Sequence, residues 1–313
     1  MPKGQFTHCA CVLLDQAPSL DELKKLLADF EVRNQIDAGD QWAFAGPTLI
    51  IDFQPEQNGF VSVDIVDRPW PDEMGDPQTD AILFGAWTLG HFGPSTFPGG
   101  LERAAQQCWA WEPGETMPQR HKAFVRIRTS YVFGGDKNAP VIPPNYDPVG
   151  EMEFATRLAT AILNAPQALC YFNPNGEILR DKADIQESLN FAAEHGFPAL
   201  DIWSNVRLFK INDEWALMDT VGNEQLDIPD VEAVFATDNY DPNEIDNFLR
   251  NVSLYLHKEG EIINDNDTMD GPGNVPWQAQ QLEEATSGPP RRVLRWHPLD
   301  GSALPAEVAE KST

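Results

Sequence analysis

The residues most able to do chemistry in this sequence are its carboxylates. Residues 211–270 hold 16 Asp and Glu against Arg250 and Lys258, a net of −14. The full 313 residues hold 49 Asp and Glu against 22 Lys and Arg, a net of −27. Carboxylates crowded this way repel one another, and an opposing basic surface relieves that repulsion. The same field disfavours nucleic acid and anionic membrane as partners and steers basic proteins inward. Solubility is the plainer reading, since acidic surfaces keep proteins dispersed. Part of the charge also has local work: Asp241 and Glu244 fit a helix cap, and Asp227, Asp230 and Glu232 frame a turn before a strand. The candidate partner-binding residues are Asp213, Glu214, Asp227, Asp230, Glu232, Asp265, Asp267 and Asp270.

Catalytic patterns are sparse. There is no G-x-S-x-G elbow and no Walker-type or G-x-G-x-x-G run, and Gly134-Gly135-Asp136-Lys137 lacks a phosphate loop's spacing. The six His are scattered, with no pair at i, i+4. An enzyme of unrecognised type would have to converge groups such as His121, Asp136 and His195. His195, beside Gly196, reads more simply as a helix C-terminal residue. Asn264 to Gly271 resembles a calcium loop in composition, but Trp277 falls where the closing Glu belongs, so a turn with carboxylates capping backbone amides is expected. Cys9 and Cys11 share one face of an apolar strand and read as buried thiols, as a reducing compartment favours. Arg120, Lys122, Arg126 and Arg128 lie close in sequence, as do Arg291, Arg292 and Arg295, and both groups read as internal ion-pair partners rather than anion binders. No cofactor and no metal is predicted.

These groups must be carried by an α+β protein. His8–Leu14 and Phe60–Val66 read as strands, and Ser19 with Glu22 as a capping box for a helix. Gln41–Phe53 reads as a hairpin turning at Gly46-Pro47. Phe124–Val132 alternates, with Phe124, Arg126 and Arg128 on one face. Asp147-Pro148 opens a helix, and Asp181–Glu194 is a second, stopped by Gly196. Trp203–Ile211, Trp215–Val221 and Val231–Ala236 are strands, and a helix from Asp241 ends near Gly260. The expected organisation is two units, 1–118 and 119–285, each a mainly antiparallel sheet with helices packed on one face, followed by an extended tail, 286–313. The N-terminus has no apolar h-region and no stretch is long enough to span a membrane, so no signal peptide, no membrane association and a cytoplasmic location are expected.

The run Trp215 to Gly222, then Leu226-Asp227-Ile228-Pro229-Asp230-Val231-Glu232, with Gly260-Glu261 and Asp267-Thr268 beyond, resembles a bacterial domain family of unknown function. Its signature reads Thr-x-Gly, then Gly or Asp-x-Pro-Asp/Glu-Leu/Val-Glu, then an amphipathic helix. The similarity covers about residues 121–280, and position 227 is Asp where the pattern often has Gly. Some members are encoded in type VI secretion and toxin neighbourhoods. The resemblance implies an immunity protein that neutralises a cognate secreted toxin, a nuclease effector with a basic surface. An adaptor or chaperone for effector loading is the alternative.

Overall fold

β1 (His8–Leu14) is buried along its whole length, as an apolar run without alternation requires. In the computed structural model, which describes residues 3–37, 45–133, 135 and 138–309, it lies inside a seven-stranded sheet. The chain divides into two units, 1–203 and 204–313.

Unit 1 continues with α1 (Leu20–Leu26), β2 (Val32–Ile36), β3 (Thr48–Asp52), β4 (Phe60–Val66), α2 (Ala81–Thr88), α3 (Gly100–Gln106) and α4 (Met117–Arg120). Then come β5 (Ala123–Ser130), α5 (Pro148–Ile162), β6 (Ala168–Asn173), β7 (Ile178–Arg180) and α6 (Lys182–His195). The sheet order is β2-β3-β4-β5-β1-β6-β7, antiparallel throughout. Ser19 forms the expected capping box with Glu22, Asp147 and Asp181 cap α5 and α6, and Gly196 ends α6 at φ 72°. α5 packs over β1 and β5 on one face. The other face takes Trp70, Trp87, Phe92 and Leu101 from the 67–117 segment against Cys9, Cys11, Phe124 and Phe172. Cys9 and Cys11 are free and buried, as their shared strand face implied.

Two expectations change here. The boundary at 118/119 falls beside β5, which pairs β4 on one side and β1 on the other, so a cut there would remove the middle of the first sheet. The hairpin from Gln41 is the second: residues 41–44 lie outside the described residues, and β3 pairs with β4 and with β2, a strand that polar, exposed side chains concealed.

Unit 2 contains β8 (Asn205–Lys210), β9 (Trp215–Val221), β10 (Asp230–Ala236), α7 (Pro242–Glu259), β11 (Thr268–Asp270), β12 (Pro276–Leu282), β13 (Val293–Pro298) and α8 (Ala306–Ala309). Its sheet runs β11-β12-β13-β10-β9-β8, with β10 and β13 parallel and the other pairs antiparallel. α7 lays Ile245, Phe248, Leu249, Val252 and Leu256 inward, and the Phe248 ring sits 5.2 Å from Trp277 and 5.6 Å from Trp296. The expected extended tail, 286–313, is instead part of the fold over its described residues, 286–309. It supplies β13 to the sheet interior, and Val308 packs on Leu217 and Val234.

Behind β1, one buried group couples unit 1 to pH. Glu151 on α5 accepts a hydrogen bond from the Thr7 hydroxyl, and burial pushes its carboxyl up to about 7 from 4.5. Between those values the folded chain holds a proton that the unfolded chain releases. The contribution of Glu151 to stability is therefore fully present below about pH 4.5 and is lost as pH rises through 7, by roughly 3 kcal/mol in total. Glu151→Gln should flatten that part of the profile and raise stability at pH 8. Urea midpoints at pH 5 and pH 8 measure this, and an unchanged difference between the two pH values would refute it.

Candidate functional site

The signature residues of unit 2 build a buried charge row. Sheet register sets Arg207, Asp219, Glu232 and Arg295 side by side across β8, β9, β10 and β13. Period-two alternation puts them on one face, opposite α7. Arg207 donates to both oxygens of Asp219, Nε to Oδ1 at 2.9 Å and Nη2 to Oδ2 at 2.7 Å. Arg295 Nε donates to Glu232 Oε1 at 2.6 Å. Arg291 reaches in from the loop before β13 and donates to Asp219 at 2.7 Å and Asp230 at 3.1 Å. Thr286 adds its backbone amide and hydroxyl to Glu232, at 3.0 and 2.9 Å.

The electrostatics follow from these distances. Burial pushes the Asp219 carboxyl up, but Arg291 and Arg207 outweigh it and hold the group below the usual carboxylate range. Burial wins at Asp230, whose carboxyl is raised although Arg291, Asn223 and Thr220 partly offset it. The difference is consistent with Arg291 lying closer to Asp219. Three carboxylates thus meet three guanidiniums, and every one of those Arg comes from outside residues 211–270.

The turn before β10 is stitched by the same residues. Thr220 Oγ1 donates to Asp230 at 2.8 Å and accepts from the Val231 amide at 2.9 Å, while the Asn223 amide donates to Asp230 at 3.0 Å. Gly222 stands at φ 119°, a conformation that favours glycine. The Thr-x-Gly and Pro-Asp-Val-Glu elements are therefore accounted for by folding.

Asp230 and Glu232 are buried, which corrects their assignment as partner-binding residues. Strand β10 alternates, and their side chains fall on the charge-row side of the sheet rather than in solvent. Asp213, Glu214, Asp227, Asp265, Asp267 and Asp270 are exposed. They do not form one patch. Asp213 and Glu214 lie in the β8–β9 turn, and Asp213 pairs with Lys210 at 2.7 Å. Asp265, Asp267 and Asp270 lie on or just before β11, at the other edge of the six-stranded sheet, roughly 24 Å away at ordinary strand spacing. Asp227 sits in the β9–β10 turn at φ 59°. Asp265 and Asp267 accept from the amides of Gln281 and Asn264 at 2.6 and 2.7 Å, the capped turn that the sequence indicated.

Beside β11 lies a groove of about 560 Å³. Tyr255 of α7, Ile262, Met269 and Trp296 line it, with Asn266 and Asp267 at its polar side. Tyr255 is 40% exposed and Ile262 53%. No sequence motif marks this groove. Its only trace is apolar residues embedded among carboxylates.

The two described enzymatic candidates, His121 and His195, each have a local structural role. His121 is buried in unit 1, where Nε2 accepts from the Trp70 amide at 2.8 Å and Nδ1 lies 2.9 Å from the Met117 carbonyl. His195 is exposed at the end of α6, with Nδ1 2.8 Å from the Phe191 carbonyl, a helix-end role. Asp136 lies outside the described residues. Among the described residues, no helix is long and apolar enough to cross a membrane.

No curated protein and no solved structure matches the chain. Residues 219–297 match a family described as a domain of unknown function (DUF4261). The matched stretch begins with Asp219 of the charge row and runs through β13, so it starts well after residue 121 and ends beyond 280, and it contains both the signature and its Arg partners from the C-terminal side.

Proposed function

We propose that the chain is an immunity protein: it binds a cognate secreted toxin, a nuclease effector of a type VI secretion system, and neutralises it in the cytoplasm. The observation that carries this reading is the excess of exposed carboxylate in unit 2. Of the 16 acidic residues in 211–270, Asp219, Asp230 and Glu232 are matched inside by Arg207, Arg291 and Arg295. Asp246 is half-buried and pairs with Arg250, and the exposed remainder includes surface pairs with Lys210, Lys258 and Arg292, which contribute little. A nuclease must hold a polyanion and so presents a basic surface, which an acidic protein can reach quickly by electrostatic steering and then occlude. Nucleic acid and membrane are not partners on this reading.

Co-expression with a cognate nuclease toxin should give a stoichiometric complex and restore growth. No complex at micromolar concentration in low salt would overturn the reading. Growth arrest despite a stable complex would favour an adaptor for effector loading. Reversing exposed charges, with Asp213→Lys, Glu214→Lys and Asp270→Lys together, should slow association by about tenfold in low salt and flatten its salt dependence. Stopped-flow mixing at two salt concentrations reads both effects, and an unchanged on-rate removes these carboxylates from the encounter.

A further inference from the structure

The groove beside β11 combines two features, an apolar lining and an acidic rim. Scattered exposed apolar residues are ordinary, but Tyr255, Ile262 and Met269 line one concavity together with buried Trp296. They also stand in a strongly charged setting. Residues 259–270 carry Glu259, Glu261, Asp265, Asp267 and Asp270 and no Lys or Arg. The nearby cations are engaged: Lys258 pairs with Glu259 at 3.1 Å, and Arg292 pairs with Glu261 at 2.6 Å. β11 is the outer strand of its sheet, so the groove opens along a sheet edge.

We propose that this groove is the docking site for one segment of a basic protein partner, an extended lysine- or arginine-rich stretch that inserts a large apolar side chain between Tyr255, Ile262 and Met269. The assignment rests on the reading of the chain as a binder of basic protein and adds where the contact is made and what anchors it. Charge complementarity selects this occupant. A second copy of the same chain would bring like charges to the rim, and an anionic lipid surface would be repelled by it. The apolar lining then does what the rim charges cannot. Exposed carboxylates speed encounter but contribute little to residence, whereas a buried apolar anchor slows dissociation. The division of labour is spatial: Asp213 and Glu214, at the far edge of the sheet, act only through the long-range field.

The test uses the full chain labelled at its Ile and Met methyl groups, with two synthetic peptides as probes. One has a single leucine flanked on each side by two lysines. The other has glycine in place of the leucine. In low salt the leucine peptide is expected to shift the Ile262 and Met269 methyl signals and to bind at least fivefold more tightly than the glycine peptide. Ile262→Ser, and independently Tyr255→Ser, should erase that preference while leaving the weaker binding of the glycine peptide intact. Both positions are substantially exposed, so the fold should tolerate the changes. Equal binding of the two peptides, with the Ile262 and Met269 signals unmoved, would overturn the groove assignment and leave the acidic-surface reading standing. Binding of neither peptide would overturn the groove and weaken the acidic-surface reading with it. Shifts of the same methyls on concentrating the protein alone would assign the groove to self-association instead.

Discussion

Arg295→Met is expected to destabilise unit 2 by about 3–5 kcal/mol. Arg295 is fully buried, and its guanidinium donates to Glu232 at 2.6 Å, to Thr286 at 2.6 Å and to the Val308 carbonyl at 3.2 Å. Methionine fills much of the volume but supplies none of these donors. Glu232 would then sit in register beside Asp219 with its own guanidinium gone. The loss reflects a stranded charge rather than the intrinsic worth of the pair, because desolvation already consumes most of the attraction between buried ions. The double variant Glu232→Leu/Arg295→Met should therefore recover most of the stability. Urea titration of the single and double variants, with hydrogen exchange at β10 and β13, separates the two effects. A loss below about 1 kcal/mol in the single variant would mean that the charge row does not hold the sheet.

The second large effect is expected in unit 1, where the stoichiometry is unequal. Asp64 serves two buried arginines: Arg126 through Nε and Nη2, at 3.2 and 2.7 Å, and Arg128 at 3.1 Å. Both also donate to the His91 carbonyl, at 3.0 and 3.3 Å. Burial pushes the Asp64 carboxyl up, yet the two guanidiniums more than reverse this and hold it low. Arg128 bears the cost of the crowding, since burial and the neighbouring Arg126 bring it down to about 10. Asp64→Leu leaves two like charges buried together and should cost about 5 kcal/mol or prevent folding. Arg128→Met leaves a matched pair and relieves repulsion, so it should cost the least of the three single changes. Arg126→Met falls between them. The ordering of denaturation midpoints checks this, and an Arg128→Met penalty as large as that of Asp64→Leu would contradict it.

These two clusters also show which parts of the structure the chain declares locally. β1, β4 and β9 match their expected bounds residue for residue, because apolar patterning and flanking turn residues are short-range signals. The caps at Ser19, Asp147, Asp181 and Asp241 are equally local. Pairing is not. β5 looks like the start of a new unit until its neighbours are known, and β13 looks like tail because Val293–Pro298 follows the Gly288-Pro289-Pro290 run and carries Arg295 at its centre. That arginine is explained only by Glu232, far away in sequence. The same distance hid the site. Asp230 and Glu232 read as free carboxylates when their guanidiniums lie some sixty residues on. The groove was illegible because Tyr255, Ile262 and Met269 belong to three different local patterns and meet only in space.

The placement of β13 makes unit 2 a check on the completeness of its own synthesis. A chain halted before residue 293 lacks the strand between β10 and β12, and Glu232 has no arginine. While such a chain is still on the ribosome, β8, β9 and β10 can pair only as an open-edged fragment with buried acids exposed to one another. Prematurely terminated copies would then be substrates for proteolysis rather than weak binders.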